Sequence, residues 1–201
     1  MHKTTMLLLS LALCVGGASA TESGTAQGLP LVPSPKEVRL SVGGFRLGPG
    51  TKIFVQLGHQ EEDRIAAETL AEQIEDQSGF RLNIVGTKPN SKAEEGVIML
   101  VRLHGSKVRH FLAEKGLTDD SFVGEQGYLL FSDRSHLIVA ANSGQGLFSG
   151  VQTLRQLLRP EGKNLFCPAV AIRDWPNLAK GNNQPQPGAP VIAMQFLGSA
   201  K

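Results

Sequence analysis

The sequence predicts an α+β domain: a mixed, largely antiparallel sheet with two main helices packed on one face. Three observations carry this. Short apolar runs recur along the chain, several joined by brief turn signals, which is the pattern of hairpins. Two longer stretches, Glu61 to Ser78 and Gly144 to Leu158, instead repeat their apolar residues at helical spacing. Hydrophobic residues make up 41% of the chain and charged residues 19%, which is enough apolar surface for most of the chain to fold.

The elements follow in order. Leu29 to Pro35 holds three prolines, which fix extended backbone and remove ladder donors, so it is a lead-in segment and not a central strand. Val38, Leu40 and Val42 alternate with polar residues, as a half-buried strand does. Gly43-Gly44 is a hairpin turn signal, with Phe45-Arg46-Leu47 as the returning strand and Gly48-Pro49-Gly50 ending it. Ile53-Phe54-Val55 is a third short strand.

In the first helix Ile65, Ala66, Thr69, Leu70, Gln73 and Ile74 form the apolar face. Glu61, Glu62 and Asp63 meet the positive end of its dipole, and Gly79 stands where a left-handed C-cap belongs. Leu82 to Val85 is a strand, Lys88 to Glu95 a polar loop, and Val97 to Leu103 a buried strand between Gly96 and Gly105. Lys107 to Gly116 is a short helix of poor period. Gly127 to Ser132 and His136 to Ala141 form a hairpin through Asp133-Arg134-Ser135. Leu147, Val151, Leu154 and Leu158 line one face of the second helix, which Pro160 stops. Leu165 to Ile172 is the last strand.

Four segments result. Residues 1–20 are expected to be a signal peptide: Lys3 is basic, Met6 to Val15 apolar, and Ala18-Ser19-Ala20 a cleavage site. That apolar run is too short for a bilayer, which needs about 20 residues. Residues 21–28 are a flexible leader, 29–176 the folded domain, and 177–201 a polar, proline-bearing tail. The protein is therefore expected to be exported, to the periplasm or beyond the cell. Cleavage after Ala20 removes Cys14 and leaves Cys167 without a disulfide partner, in an apolar run where it is a small core residue.

Several chemistries fail on spacing. The net charge is +2 with no basic run, so nucleic acid is not the expected partner. Gly144-Gln145-Gly146 follows a strand and opens a helix, as a dinucleotide fingerprint does, but Gly150 comes one position late, so close helix–sheet packing is the preferred reading. His59 has no second His at i+4, and His104, His110 and His136 are scattered, so no metal ligand is assigned. Glu94-Glu95 and Asp119-Asp120 are adjacent carboxylates in polar loops, a pattern of solvated surface and not of acids facing across a sugar. No Ser stands in a G-x-S-x-G elbow. No catalytic, cofactor-binding or metal residue is predicted.

Three stretches together resemble one family. They are Leu31-Val32-Pro33-Ser34-Pro35-Lys36-Glu37-Val38, then Gly144 through Leu158 with Gly150-Val151-Gln152-Thr153-Leu154-Arg155-Gln156-Leu157-Leu158, then Pro168-Ala169-Val170-Ala171-Ile172-Arg173-Asp174-Trp175-Pro176. In this order and spacing they are similar to the N-terminal domain that precedes the catalytic barrel of bacterial β-N-acetylhexosaminidases, glycoside hydrolase family 20. The resemblance covers Leu29 to Pro176. It implies that Trp175-Pro176 leads toward a barrel, whose opening aromatic-Arg-Gly motif holds the sugar. Here Asn177-Leu178-Ala179-Lys180-Gly181 follows, with Lys180 alone near that role.

The family's reaction removes terminal N-acetylhexosamine by substrate assistance: an Asp orients the acetamido group and the next residue, Glu, is the general acid. No Asp-Glu dipeptide occurs in these 201 residues, and a barrel of about 250 residues does not fit among them. The resemblance thus implies an accessory domain, inactive alone, whose partner is a catalytic barrel or a glycan. The alternative is a free-standing glycan- or protein-binding module.

Overall fold

The computed structural model describes residues 29–56, 58, 60–88, 91–104, 107–118 and 123–176. The signal peptide, the leader, the tail, His59 and Asp119-Asp120 lie outside the described residues. The described chain forms one mixed sheet of eight strands with three helices. The strands are β1 (Glu37–Leu47), β2 (Lys52–Gln56), β3 (Asn83–Thr87), β4 (Ile98–Arg102), β5 (Tyr128–Ser132), β6 (Leu137–Ala141), β7 (Arg159–Glu161) and β8 (Asn164–Asp174). The helices are α1 (Gln60–Ser78), α2 (Lys107–Glu114) and α3 (Gly144–Leu157).

The sheet order is β1-β8-β5-β6-β4-β2-β3, with β7 paired to β8. One half is antiparallel: β1 with β8, β8 with β5 and β7, and β5 with β6. The other half, β6-β4-β2-β3, is parallel throughout. The fold is α+β, and α1 and α3 share one face of the sheet, here the inner face, as predicted. α2 lies on the outer face, where Val108 and Leu112 pack with Met99, Val101, Leu129, Phe131 and Ile138. β4 is buried at every position because helices cover both its faces, which is why it reads as an unbroken apolar run.

Three local expectations need correction. Gly43-Gly44 does not turn the chain. β1 runs straight through it, paired with β8 from Glu37↔Arg173 to Leu47↔Leu165, with a bulge between Leu40 and Gly44. The glycines serve that bulge: Gly43 has φ +99°, and a Cβ on Gly44 would come within 2.2 Å of the Cys167 carbonyl. The pairing partner lies far away in sequence, so no local signal separates this bulge from a hairpin. Second, Leu40 and Val42 are exposed, Val42 by 92%, because β1 is an edge strand. Third, the buried stripe of α1 is Asp63, Ala66, Ala67, Leu70, Ala71 and Ile74, while Ile65 points outward, 53% exposed. The alanines let α1 lie close, which turns the helix away from Ile65.

The remaining local signals hold. Gly79 caps α1 at φ +77° and its N–H donates to the Glu75 carbonyl at 2.7 Å. The β5–β6 turn closes through Asp133, whose Oδ1 accepts from Ser135 N (2.8 Å) and His136 N (2.7 Å). A cap that the sequence analysis did not single out is Ser143, which opens α3 by accepting from Gly146 N at 3.1 Å. No helix among the described residues is long and apolar enough to cross a membrane.

Candidate functional site

The lead-in segment and the last strand meet over α3. Gln156 of α3 grips the lead-in: its Nε2 donates to the Val32 carbonyl (3.0 Å) and its Oε1 accepts from Val32 N (2.8 Å). At the other end of the segment, Lys36 N donates to Asp174 Oδ1 at 3.2 Å, joining it to the end of β8. These contacts border a groove of about 490 Å3 lined by Val32, Tyr128, Phe148, Gln152, Asp174 and Trp175, among others. Val32 (77% exposed) and Phe148 (40% exposed) leave apolar surface at this place. Trp175 is half-buried beneath Arg173, whose guanidinium carbon stands 5.0 Å from the ring centroid. The described residues end at Pro176, which lines this groove.

The Tyr128 hydroxyl shares a 2.6 Å hydrogen bond with Thr153 Oγ1, which ties α3 to β5. Burial pushes the Tyr128 phenol well above its ordinary pKa, so it stays neutral. α3 reaches the sheet closely because of its glycines. A Cβ on Gly146 would come within 2.4 Å of the Gly127 carbonyl, and one on Gly150 within 2.4 Å of Val139 Cγ1. The Gly144-Gln145-Gly146 run is thus accounted for by packing. Its sequence context resembles a phosphate loop because both need backbone without side chains.

Glycoside hydrolysis needs two convergent groups flanking the bond to be broken. The groove offers one carboxylate, Asp174, which already accepts from Lys36 N. Glu94 and Glu95 are exposed in the loop before β4. His110 is exposed on α2, 3.3 Å from Glu114, and His136 packs on Phe111 and Asp133, so these two described histidines stand apart. No group of His, Cys, Asp and Glu among the described residues has the arrangement of a metal site. Cys167 is buried, and burial pushes its thiol up to about 12, which keeps it protonated and unreactive. The groove thus presents apolar surface beside one carboxylate that is already hydrogen-bonded.

Sequence reasoning missed one polar centre. Arg102 of β4 is buried and forks onto Asp63 of α1, with Nη2 to Oδ1 at 2.6 Å and Nε to Oδ1 and Oδ2 at 2.9 and 3.1 Å. It also donates to the Asn142 carbonyl (2.9 Å) and to Glu62 Oε2 (3.2 Å). The signal was present as an Arg closing an apolar strand and an Asp in the first helical turn. Their meeting needed the β2–β4 pairing.

Comparison with known proteins gives this architecture a place. Residues 28–175 match the family described as "Glycosyl hydrolase family 20, domain 2". The β-hexosaminidase of Vibrio furnissii is 27% identical over 157 residues, covering 78% of this chain and 21% of the relative. That of Porphyromonas gingivalis is 27% identical over 178 residues, covering 84% and 20%. The chain thus spans about a fifth of the length of these curated relatives. The solved GH20 β-N-acetylhexosaminidase of Streptomyces coelicolor A3(2) superposes with a TM-score of 0.53 at 28% identity, over 73% of this chain and 26% of that one. The Flavobacterium johnsoniae chitobiase shares the fold with a TM-score of 0.55 at 19% identity, over 77% and 22%. The matched stretch takes in the lead-in, the sheet with its helices, and Trp175; on this basis the chain belongs to glycosyl hydrolase family 20, as its domain 2.

Proposed function

We propose that this chain is an exported accessory domain of a β-N-acetylhexosaminidase-type glycoside hydrolase, the enzyme class that removes terminal N-acetylhexosamine from glycans. In this reading the domain braces a catalytic barrel through the α3 groove and does not itself cleave. The observation that carries it is the apolar, single-carboxylate groove beside Trp175 and Pro176. Val32, Phe148 and Trp175 supply apolar area, and Gln145, Gln152 and Gln156 line the same wall as uncharged hydrogen-bonding groups. Export rests on Lys3, the Met6 to Val15 run and the Ala18-Ser19-Ala20 site.

A single preparation tests the reading. Protein recovered from the periplasm or medium of a bacterial host should begin at Thr21. It should release nothing from a chromogenic N-acetyl-β-glucosaminide. Added in trans to a family-20 barrel lacking its own domain 2, it should raise the barrel's melting temperature, and Phe148→Asp should abolish that rise. Turnover by the purified chain alone, or a barrel indifferent to it, rejects the proposal.

A further inference from the structure

A second groove opens on the outer face of the sheet, away from α3. Its volume is about 520 Å3. The floor comes from β5 and β8, where Phe131 stands opposite Ala171 in the register, and Ala169 lies beside them. Arg39 of β1 continues this cross-strand row, paired with Ala171. α2 covers β4, β6 and β5 but leaves Arg39 exposed.

Three cations line this groove: Arg39, Lys115 just beyond α2, and Arg134 in the β5–β6 turn. Among the described residues none of the three is in an ion pair. Each is held in place by other means. Arg39 donates from Nη2 to the Gly116 carbonyl at 2.6 Å and makes no other hydrogen bond to a described residue. Its guanidinium carries five N–H donors, so most stay unspent. Lys115 Nζ rides above Phe111 and Phe131, 5.3 and 5.9 Å from their centroids. Arg134 packs over Gly43 at the β1 bulge, where an added Cβ would come 3.1 Å from its Nε.

The single carboxylate of the lining, Asp133, is occupied. It accepts from Ser135 N and His136 N, and its oxygens lie 3.2 and 3.3 Å from His136 Nδ1. Positive charge in a cleft concentrates anions there, and the field weakens with salt. A rim of cations suits an acidic substituent on a bound ring.

We propose that this outer groove binds an anionic saccharide, one bearing carboxylate or sulfate groups, with Arg39, Lys115 and Arg134 as the anion-holding residues. The choice of a saccharide over a peptide rests on the reading of the chain as a glycosidase accessory domain. The groove itself rests on geometry alone. In that role the domain selects charged glycans on the face turned away from its barrel-bracing groove.

The test is titration of the full chain, at about 50 mM salt, with chondroitin sulfate tetrasaccharide, hyaluronan tetrasaccharide, neutral chitotetraose and a polyglutamate decapeptide. The acidic sugars should bind at least about tenfold tighter than chitotetraose. The Arg39→Ala/Arg134→Ala double variant and the separate Lys115→Met variant should each lose that preference, with unchanged circular dichroism. Arg64→Ala, on the exposed side of α1, should keep it. Acidic sugars bound no better than chitotetraose overturn the proposal. So does a preference that survives in both groove variants, and so does polyglutamate binding as tightly as the sugars, which would mark a peptide site. The barrel-in-trans assay reads the opposite face, so either reading can fail alone.

Discussion

On the inner face of the sheet α1 and α3 lie side by side, and the charge buried there is matched atom for atom: Arg102 is nearly inaccessible and Asp63 is 0% exposed. On the outer face a single helix of eight residues covers the middle strands, and Arg39, Lys115 and Arg134 are exposed and, among the described residues, without carboxylate partners. The difference follows from solvent. Removing a charge from water costs several kcal/mol, so a buried charge persists only where a fork of hydrogen bonds replaces the lost hydration. A hydrated charge needs no partner and stays available for one. The inner pair accordingly orients α1 on the sheet, and the outer cations are free to meet a ligand.

The largest effect should come from breaking the inner pair. Asp63→Ala leaves Arg102 buried without its main acceptor and should cost about 3–5 kcal/mol in urea unfolding. Arg39→Ala, its outer counterpart, should stay within about 0.5 kcal/mol. Equal costs for the two would erase the distinction between the faces. A second, intermediate effect probes how tightly the inner helices are seated. Gly146→Ala pushes a methyl toward the Gly127 carbonyl, a backbone atom that cannot swing aside, and should cost about 1–3 kcal/mol. A neutral result would mean that α3 floats on the sheet.

The smallest effect is electrostatic and sits on the outer rim. Burial alone would raise the Asp133 carboxyl, but the Ser135 and His136 N–H groups and the His136 ring together hold it below its usual 3.8. A carboxyl depressed on folding adds stability that is present above its unfolded value and is lost as pH falls through its folded one. Asp133→Asn should therefore be less stable than the wild type at pH 6, by less than about 1 kcal/mol for so solvated a group. The gap should close in thermal melts as pH drops below about 3.8. A gap that widens on acidification would show that the turn is held by something other than this carboxylate.

Much of the fold was legible in the residues. The acidic first turn of α1, Gly79 after it, the Leu147, Val151 and Leu154 stripe of α3, and the Asp133 turn are local signals, and all stand where the spacing puts them. The α3 groove was half legible. Trp175-Pro176 marked the exit, but nothing within five residues of Val32 announced that Gln156 would hold its backbone. The outer groove was not legible at all, because Arg39, Lys115 and Arg134 come from three distant segments, none of them a basic run.

By itself the sequence determined the class of the domain, its helices, most of its turns and its family. The helices and turns follow from side-chain periodicity and backbone-restricted residues within one stretch of chain, and the family from the order of three motifs. Only the tertiary structure decided that Gly43-Gly44 bends a strand without reversing it, that half the sheet is parallel, and which charges meet. Those outcomes depend on which distant strands pair. Pairing is selected by the free energy of the whole packed sheet, to which no single stretch of chain has access.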